Sequence, residues 1–148
     1  MKREMKARKT KATRMKKTGM KMSKISLLKI DRDIHVDRSW IRDYVRTIVA
    51  VCKMKGVKVT SIQMCATRKG AHYYVDIQPA LLAEAANRLQ WLLADDPLRV
   101  NYNRARIRSR YADWDKLFER IGQRYTTLYR VKVPAGTRKT KQGGMKRN

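Results

Sequence analysis

Val57-Lys-Val-Thr-Ser-Ile-Gln-Met-Cys-Ala-Thr-Arg-Lys-Gly-Ala-His-Tyr-Tyr-Val-Asp-Ile77 decides the reading of this 148-residue chain. Residues 57–67 are rich in β-branched side chains, Arg68-Lys69-Gly70 has the composition of a turn, and residues 71–77 resume an extended pattern. Together they predict a β-hairpin with a basic tip. Alternation along its second strand puts His72, Tyr74 and Asp76 on one face and Tyr73, Val75 and Ile77 on the other.

Working outward toward the N-terminus, Ile41, Tyr44, Val45, Ile48 and Cys52 recur at the spacing of one helix face. Asp37 or Ser39 is placed to cap that helix at Trp40, and Gly56 to end it. Before it, Ile25-Ser-Leu-Leu-Lys-Ile30 reads as a first strand, with a polar, turn-like stretch from Asp31 to Asp37. On the C-terminal side, Pro79 suits the first turn of a second helix that carries Leu81, Leu82, Ala85, Leu89, Leu92 and Leu93 as its stripe. An exposed part of that stripe would offer a homodimer surface. Residues 98–112 fit either a helix, with Val100, Arg104, Ile107 and Tyr111 on one face, or a strand that points Arg104, Arg106, Arg108 and Arg110 one way. Asp113 to Ile121 reads as a short helix carrying Trp114 and Phe118 as an i, i+4 pair and ending at Gly122. Tyr125 to Val133 alternates as a final strand. The resulting order, β-α-β-β-α-β with a basic insertion, is the ferredoxin-like pattern of an α+β fold. Two helices would cover one face of the sheet and leave the other free.

Charge divides the chain into three. The formal net charge is +25, from 37 Lys and Arg against 12 Asp and Glu. Residues 1–24 hold eleven of the cations and one acid, and residues 130–148 hold seven cations and no acid. Neither end has the apolar pattern of a core. The expected organisation is a basic arm over 1–24, a folded core over 25–133 and a basic tail over 134–148, with both ends disordered alone. So large an excess exceeds what solubility requires and points to a polyanion, of which nucleic acid is the commonest. Lys9, Lys16, Lys17, Arg138 and Lys139 would neutralise phosphates and release counterions. A solvated tail without a partner is the alternative for each end. Residues 1–24 are also basic enough for a mitochondrial transit peptide, although they are Lys-rich and serine-poor. No apolar run approaches the ~20 residues of a membrane span, and no signal-peptide core follows the basic start. Two cysteines, Cys52 and Cys65, exclude a disulfide scaffold and fit a reducing cytoplasm.

Within the core, Arg68 and Lys69 are placed to meet phosphates, while His72, Tyr73 and Tyr74 offer rings to bases. The segment Arg68-Lys-Gly-Ala-His-Tyr-Tyr-Val-Asp-Ile77 resembles the RNP1 strand of RNA-recognition (RRM-like) domains. Lys69, Gly70 and Tyr73 match, Ala71 and His72 depart from the pattern, and the first strand lacks the aromatic that family uses. The resemblance spans some eight residues and implies base stacking on the open sheet face. The opposite expectation is that one tyrosine is core and the other surface. A second resemblance is to the archaeo-eukaryotic primase palm, carried by Asp31-Arg-Asp33 after the first strand and by His72. It implies a Mg²⁺ site for nucleotidyl transfer, but a third acid is not evident, and Asp31 and Asp33 equally suit a loop that offsets Arg32 and Arg38. Arg99, Arg104, Arg106, Arg108 and Arg110 form a block without internal acids. It is suited to phosphate contact, or to pairing with Asp95, Asp96, Asp113 and Asp115. No Cys-x-x-Cys, His-x-x-x-His or P-loop occurs, so no metal, cofactor or nucleotide hydrolysis is expected.

The sequence thus predicts a small non-enzymatic nucleic-acid-binding protein of low sequence specificity, partnered by RNA or DNA and not by membrane. A structural protein of a large ribonucleoprotein assembly, ribosomal in type, stands beside it. A primase-like enzyme using Asp31 and Asp33 comes third.

Overall fold

A computed structural model describes residues 24–120 and 122–132. The expectations for both basic ends, with Lys9, Lys16, Lys17, Arg138 and Lys139, lie outside these residues. Seven elements follow in the order β1 (Ile25–Arg32), α1 (Arg38–Met54), β2 (Lys58–Ala66), β3 (Ala71–Leu81), α2 (Ala83–Leu92), α3 (Pro97–Arg108) and β4 (Thr126–Arg130). The fold is α+β, with one four-stranded antiparallel sheet ordered β1-β3-β2-β4. No helix among the described residues is long and apolar enough to cross a membrane.

The hairpin forms as its sequence dictates, with Ala66 opposite Ala71 and Thr67 bonded to Gly70 across the tip. The backbone of β1 passes so close to Gly70 that a Cβ there would stand 1.9 Å from the Arg32 carbonyl oxygen. Helix α1 starts where Asp37 Oδ1 accepts from the Trp40 N–H at 2.9 Å, and Gly56, at φ +72°, lets the chain turn out of it. Tyr44, Ile48 and Cys52 of α1 are buried on Leu28, Ile30, Ile62, Tyr73, Val75 and Ile77 of the sheet, together with Ala86, Leu89 and Leu93.

Two expectations for the elements require correction, and the helical alternative for 98–112 is the one that forms. Pro79 does not open α2. Strand β3 runs on to Leu81, because the β1 ladder jumps from Ile25↔Leu81 to Leu27↔Asp76 and leaves Pro79 in a bulge where no N–H is needed. Helix α2 then buries Ala83, Ala86, Leu89 and Leu93 and leaves Leu82, Trp91 and Leu92 exposed. Residues 98–108 are helical, started by Asp96, whose carboxylate accepts from the Arg99 N–H at 2.7 Å, with Pro97 in the first turn. Residues 113–120 form no helix. Trp114 is buried while Phe118 is 98% exposed, a contrast that an i, i+4 pair on one helix face does not show.

The last strand lies beside β2, whereas a ferredoxin-like sheet would place it beside β1. The outer edge of β1 is already occupied. The Lys29 carbonyl accepts from Gln90 Nε2 and Arg99 Nη1, each at 3.0 Å, the Asp31 N–H donates to Asp95 Oδ1 at 2.8 Å, and the Asp31 carbonyl accepts from the Asp96 N–H at 3.1 Å. With these groups of Lys29 and Asp31 engaged, this half of the β1 edge offers no ladder to another strand. The chain therefore crosses the sheet between α3 and β4. Residues 109–120 and 122–125 make this crossing as a strap over the face opposite α1. Glu119 pairs with Lys29 of β1 at 3.3 Å, and Tyr125 packs edge-on against Tyr74 of β3 at 5.2 Å.

Candidate nucleic-acid interface

The strap changes what the strands present. Tyr73 lies on the α1 side, fully buried, and meets Tyr44 edge to face at 5.0 Å. Tyr74 and His72 lie on the strap side and are also buried. Burial, reinforced by the Glu119 carboxylate, pushes the Tyr74 phenol up. Neither tyrosine has the free ring face that stacking on a base requires, which corrects the expectation for both.

Asp31 and His72 face each other across the β1–β3 ladder, with His72 Nε2 3.5 Å from Asp31 Oδ1. Burial is the main influence on each. It raises the Asp31 carboxyl and lowers the His72 imidazole, and each group's charge partly opposes the effect on the other. Asp33, just past the strand, is exposed. These three residues do come together at one corner of the sheet. Among the described residues, however, no three His, Cys, Asp or Glu side chains are grouped as a metal ion needs. The described residues therefore do not complete the Mg²⁺ site that the primase resemblance implies.

Two grooves meet at this corner. The first, about 600 Å³, runs between the hairpin tip and the strap. Arg68 and Lys69 line it from the tip and Arg120 and Arg124 from the strap, with Asp33 as its one carboxylate. All four cations are exposed, and none has an acidic partner among the described residues. The second, about 650 Å³, runs between α3 and the strap, with Leu98, Tyr102, Leu117 and Phe118 as its apolar lining. Asp33 and Phe118 border both grooves.

The arginine block separates into two jobs. Arg99 is only 9% exposed at its side chain and forms ion pairs with Asp95 and Asp115. Its Nε also donates to the Lys116 carbonyl at 2.8 Å. It is a strut between α3, β1 and the strap, not a phosphate contact. Arg104, Arg108 and Arg110 are exposed without acidic partners among the described residues, and Arg106 donates to Asn103 Oδ1 at 2.9 Å. Arg104 and Arg108 share a groove of about 490 Å³ with Arg88 and Glu84.

Phe118, Arg120 and Arg124 are the candidate residues that sequence reasoning passes over. The signal is present in Phe118-Glu-Arg-Ile-Gly-Gln-Arg-Tyr125, which interleaves aromatics with arginines, but the segment reads as the end of a helix. No family model matches the chain, and neither the curated proteins nor the solved structures offer a match.

Proposed function

We propose that the protein binds nucleic acid non-enzymatically, with Arg68, Lys69, Arg120 and Arg124 holding phosphates along the hairpin-tip groove. The observation that carries this is the way the core spends its acids. Asp37 and Asp96 cap helices, Asp95 and Asp115 hold Arg99, Glu119 holds Lys29, and the Asp76 carboxylate accepts from the Ser61 hydroxyl. Asp113 holds Lys116, while Arg68, Lys69, Arg120, Arg124 and, at the end of α3, Arg104, Arg108 and Arg110 have no acidic partner among the described residues, on a chain of net +25. Unneutralised arginines around a groove suit phosphate oxygens, which accept the guanidinium's paired N–H groups. Arg104, Arg108 and Arg110 extend the same potential along α3. The contacts are to the polymer backbone, so sequence preference from them is low.

The test is a salt series on the full chain with labelled single-stranded and duplex DNA and RNA. Arg68→Ala/Lys69→Ala/Arg120→Ala/Arg124→Ala should weaken binding and lower the salt slope by about 3 on a single strand, near 0.7 for each phosphate no longer neutralised. A slope unchanged by all four substitutions would sink the assignment of this groove. An assembly protein with basic ends would use the same contacts. It would be recognised by co-purification with a ribonucleoprotein particle that withstands moderate salt.

A further inference from the structure

We propose that the groove between α3 and the strap takes one unstacked base of a single-stranded nucleic acid, with Tyr102 and Phe118 as stacking walls and Asp33 as the acceptor for an exocyclic amino group. This deepens the nucleic-acid reading and rests on it. Helix α3 presents Leu98, Tyr102 and Arg106 at i, i+4 and i+8 along the groove, and the strap presents Lys116, Leu117 and Phe118 opposite. Tyr102 is 63% exposed and Phe118 98%. An exposed apolar lining of this kind, in a groove of about 650 Å³, lies within the size range of small-molecule sites. The charge around it selects the occupant. Its own lining sets Arg99, Arg106 and Lys116 against Asp31, Asp33 and Asp96, with Lys116 paired to Asp113, while the adjoining groove, which shares Phe118 and Asp33 with it, carries four cations and one carboxylate. A second copy of a +25 chain would be repelled by the net charge of the molecule and of the adjoining groove, whereas a strand whose phosphates follow Arg68, Lys69, Arg120 and Arg124 brings its bases to the slot. A duplex keeps its bases stacked inside, so the occupant is single-stranded.

The chemistry of the mouth sets a preference. The Asp96 carboxylate is engaged in capping α3 and Asp31 faces His72, while Asp33 is exposed with no hydrogen-bonded or ionic partner among the described residues. A carboxylate accepts only, so it favours adenine, cytosine and guanine, whose exocyclic amino groups project toward an acceptor, over thymine and uracil, whose one donor is the ring N3–H flanked by two carbonyl oxygens that a carboxylate repels.

The experiment measures binding of the full chain to dA, dC and dT homopolymers, to a base-free sugar-phosphate oligomer of equal length, and to a duplex. Tyr102→Ala and Phe118→Ala alter exposed side chains, and thermal unfolding confirms that each variant folds. Each should weaken binding to dA and dC about tenfold, the scale of one base–aromatic stack, with the salt slope and the base-free oligomer unaffected. Asp33→Ala should raise affinity for every polymer by removing a negative charge, yet bring the dA-to-dT ratio toward one. If wild type binds the base-free oligomer or the duplex as tightly as the single strand, and both aromatic variants bind like wild type, the base slot is wrong while the phosphate reading stands. If no polymer binds at all, the nucleic-acid reading itself fails.

Discussion

Asp95 and Asp115 place two buried carboxylates on the single charge of Arg99. Burial pushes the Asp95 carboxyl up to about 6 from 3.8, against the pull of Arg99 and with Asp115 adding to the rise; Asp115 is raised by the same burial. A carboxyl with a raised folded pKa holds more protons folded than unfolded, so its contribution to stability declines as pH rises from about 4 to about 6. His72 works in the opposite sense. Burial holds its folded pKa below 6.5, so its contribution is lost as pH falls from 6.5 toward that lowered value. Asp115→Asn separates the two, because His72 is common to both proteins. The variant keeps an amide oxygen able to accept from Gln90 Nε2 and Arg99 Nη2 and leaves Asp95 alone with the guanidinium. Its unfolding midpoint should decline less steeply than wild type between pH 4 and 6. A thermal-unfolding series across that range reads the difference, and parallel curves would show that the pair does not titrate there.

At the scale of elements, α3 carries arginines with opposite consequences. Arg99→Ala strands two buried carboxylates and removes a donor from the Lys29 carbonyl, so it should cost about 3–5 kcal/mol in denaturant unfolding. Arg104→Ala, on the exposed face of the same helix, should stay within about 0.5 kcal/mol of wild type yet bind nucleic acid more weakly. Equal stability losses for the two would overturn the division. Gly70→Ala should destabilise by about 1–3 kcal/mol, because the neighbour it strikes is the Arg32 backbone and not a flexible side-chain tip. The elements legible in the sequence were those with local causes. The hairpin follows from its β-branched runs and turn, α1 from its face and Asp37, and β1 from its apolar run. The strand order was not legible, because it depends on Gln90, Asp95, Asp96 and Arg99 reaching β1 from 61 to 70 residues away. Gly70 shows the difference in kind. It matches a motif residue, and its place in this fold is set by the closeness of β1.

Over the whole molecule, the site divides along the same line. Arg68 and Lys69 were readable as a hairpin tip because a tip is exposed wherever the hairpin packs. Tyr73 falls on the apolar face with Val75 and Ile77, and α1 covers it through Tyr44, whereas Tyr74 was not readable as buried, since nothing local announces a strap that arrives from residue 109 onward to cover its face. The strap makes binding at the tip a matter of grooves and not of an open sheet. The stretch 25–129 carries nineteen cations and eleven acids, so most of the +25 lies in 1–24 and 130–148. Long-range attraction to a polyanion therefore scales with the ends, while any discrimination between polymers needs the grooves. A chain trimmed to residues 24–132 should retain a cooperative unfolding transition. It should bind single strands more weakly than the full chain, with a shallower salt slope, and still prefer them to duplex by the same ratio. Fluorescence anisotropy across 50–200 mM salt, a range over which multi-phosphate binders lose about 10³–10⁵ in affinity, measures both quantities. A trimmed chain that folds but has lost the single-strand preference would place recognition in the basic ends and reduce the core to their carrier.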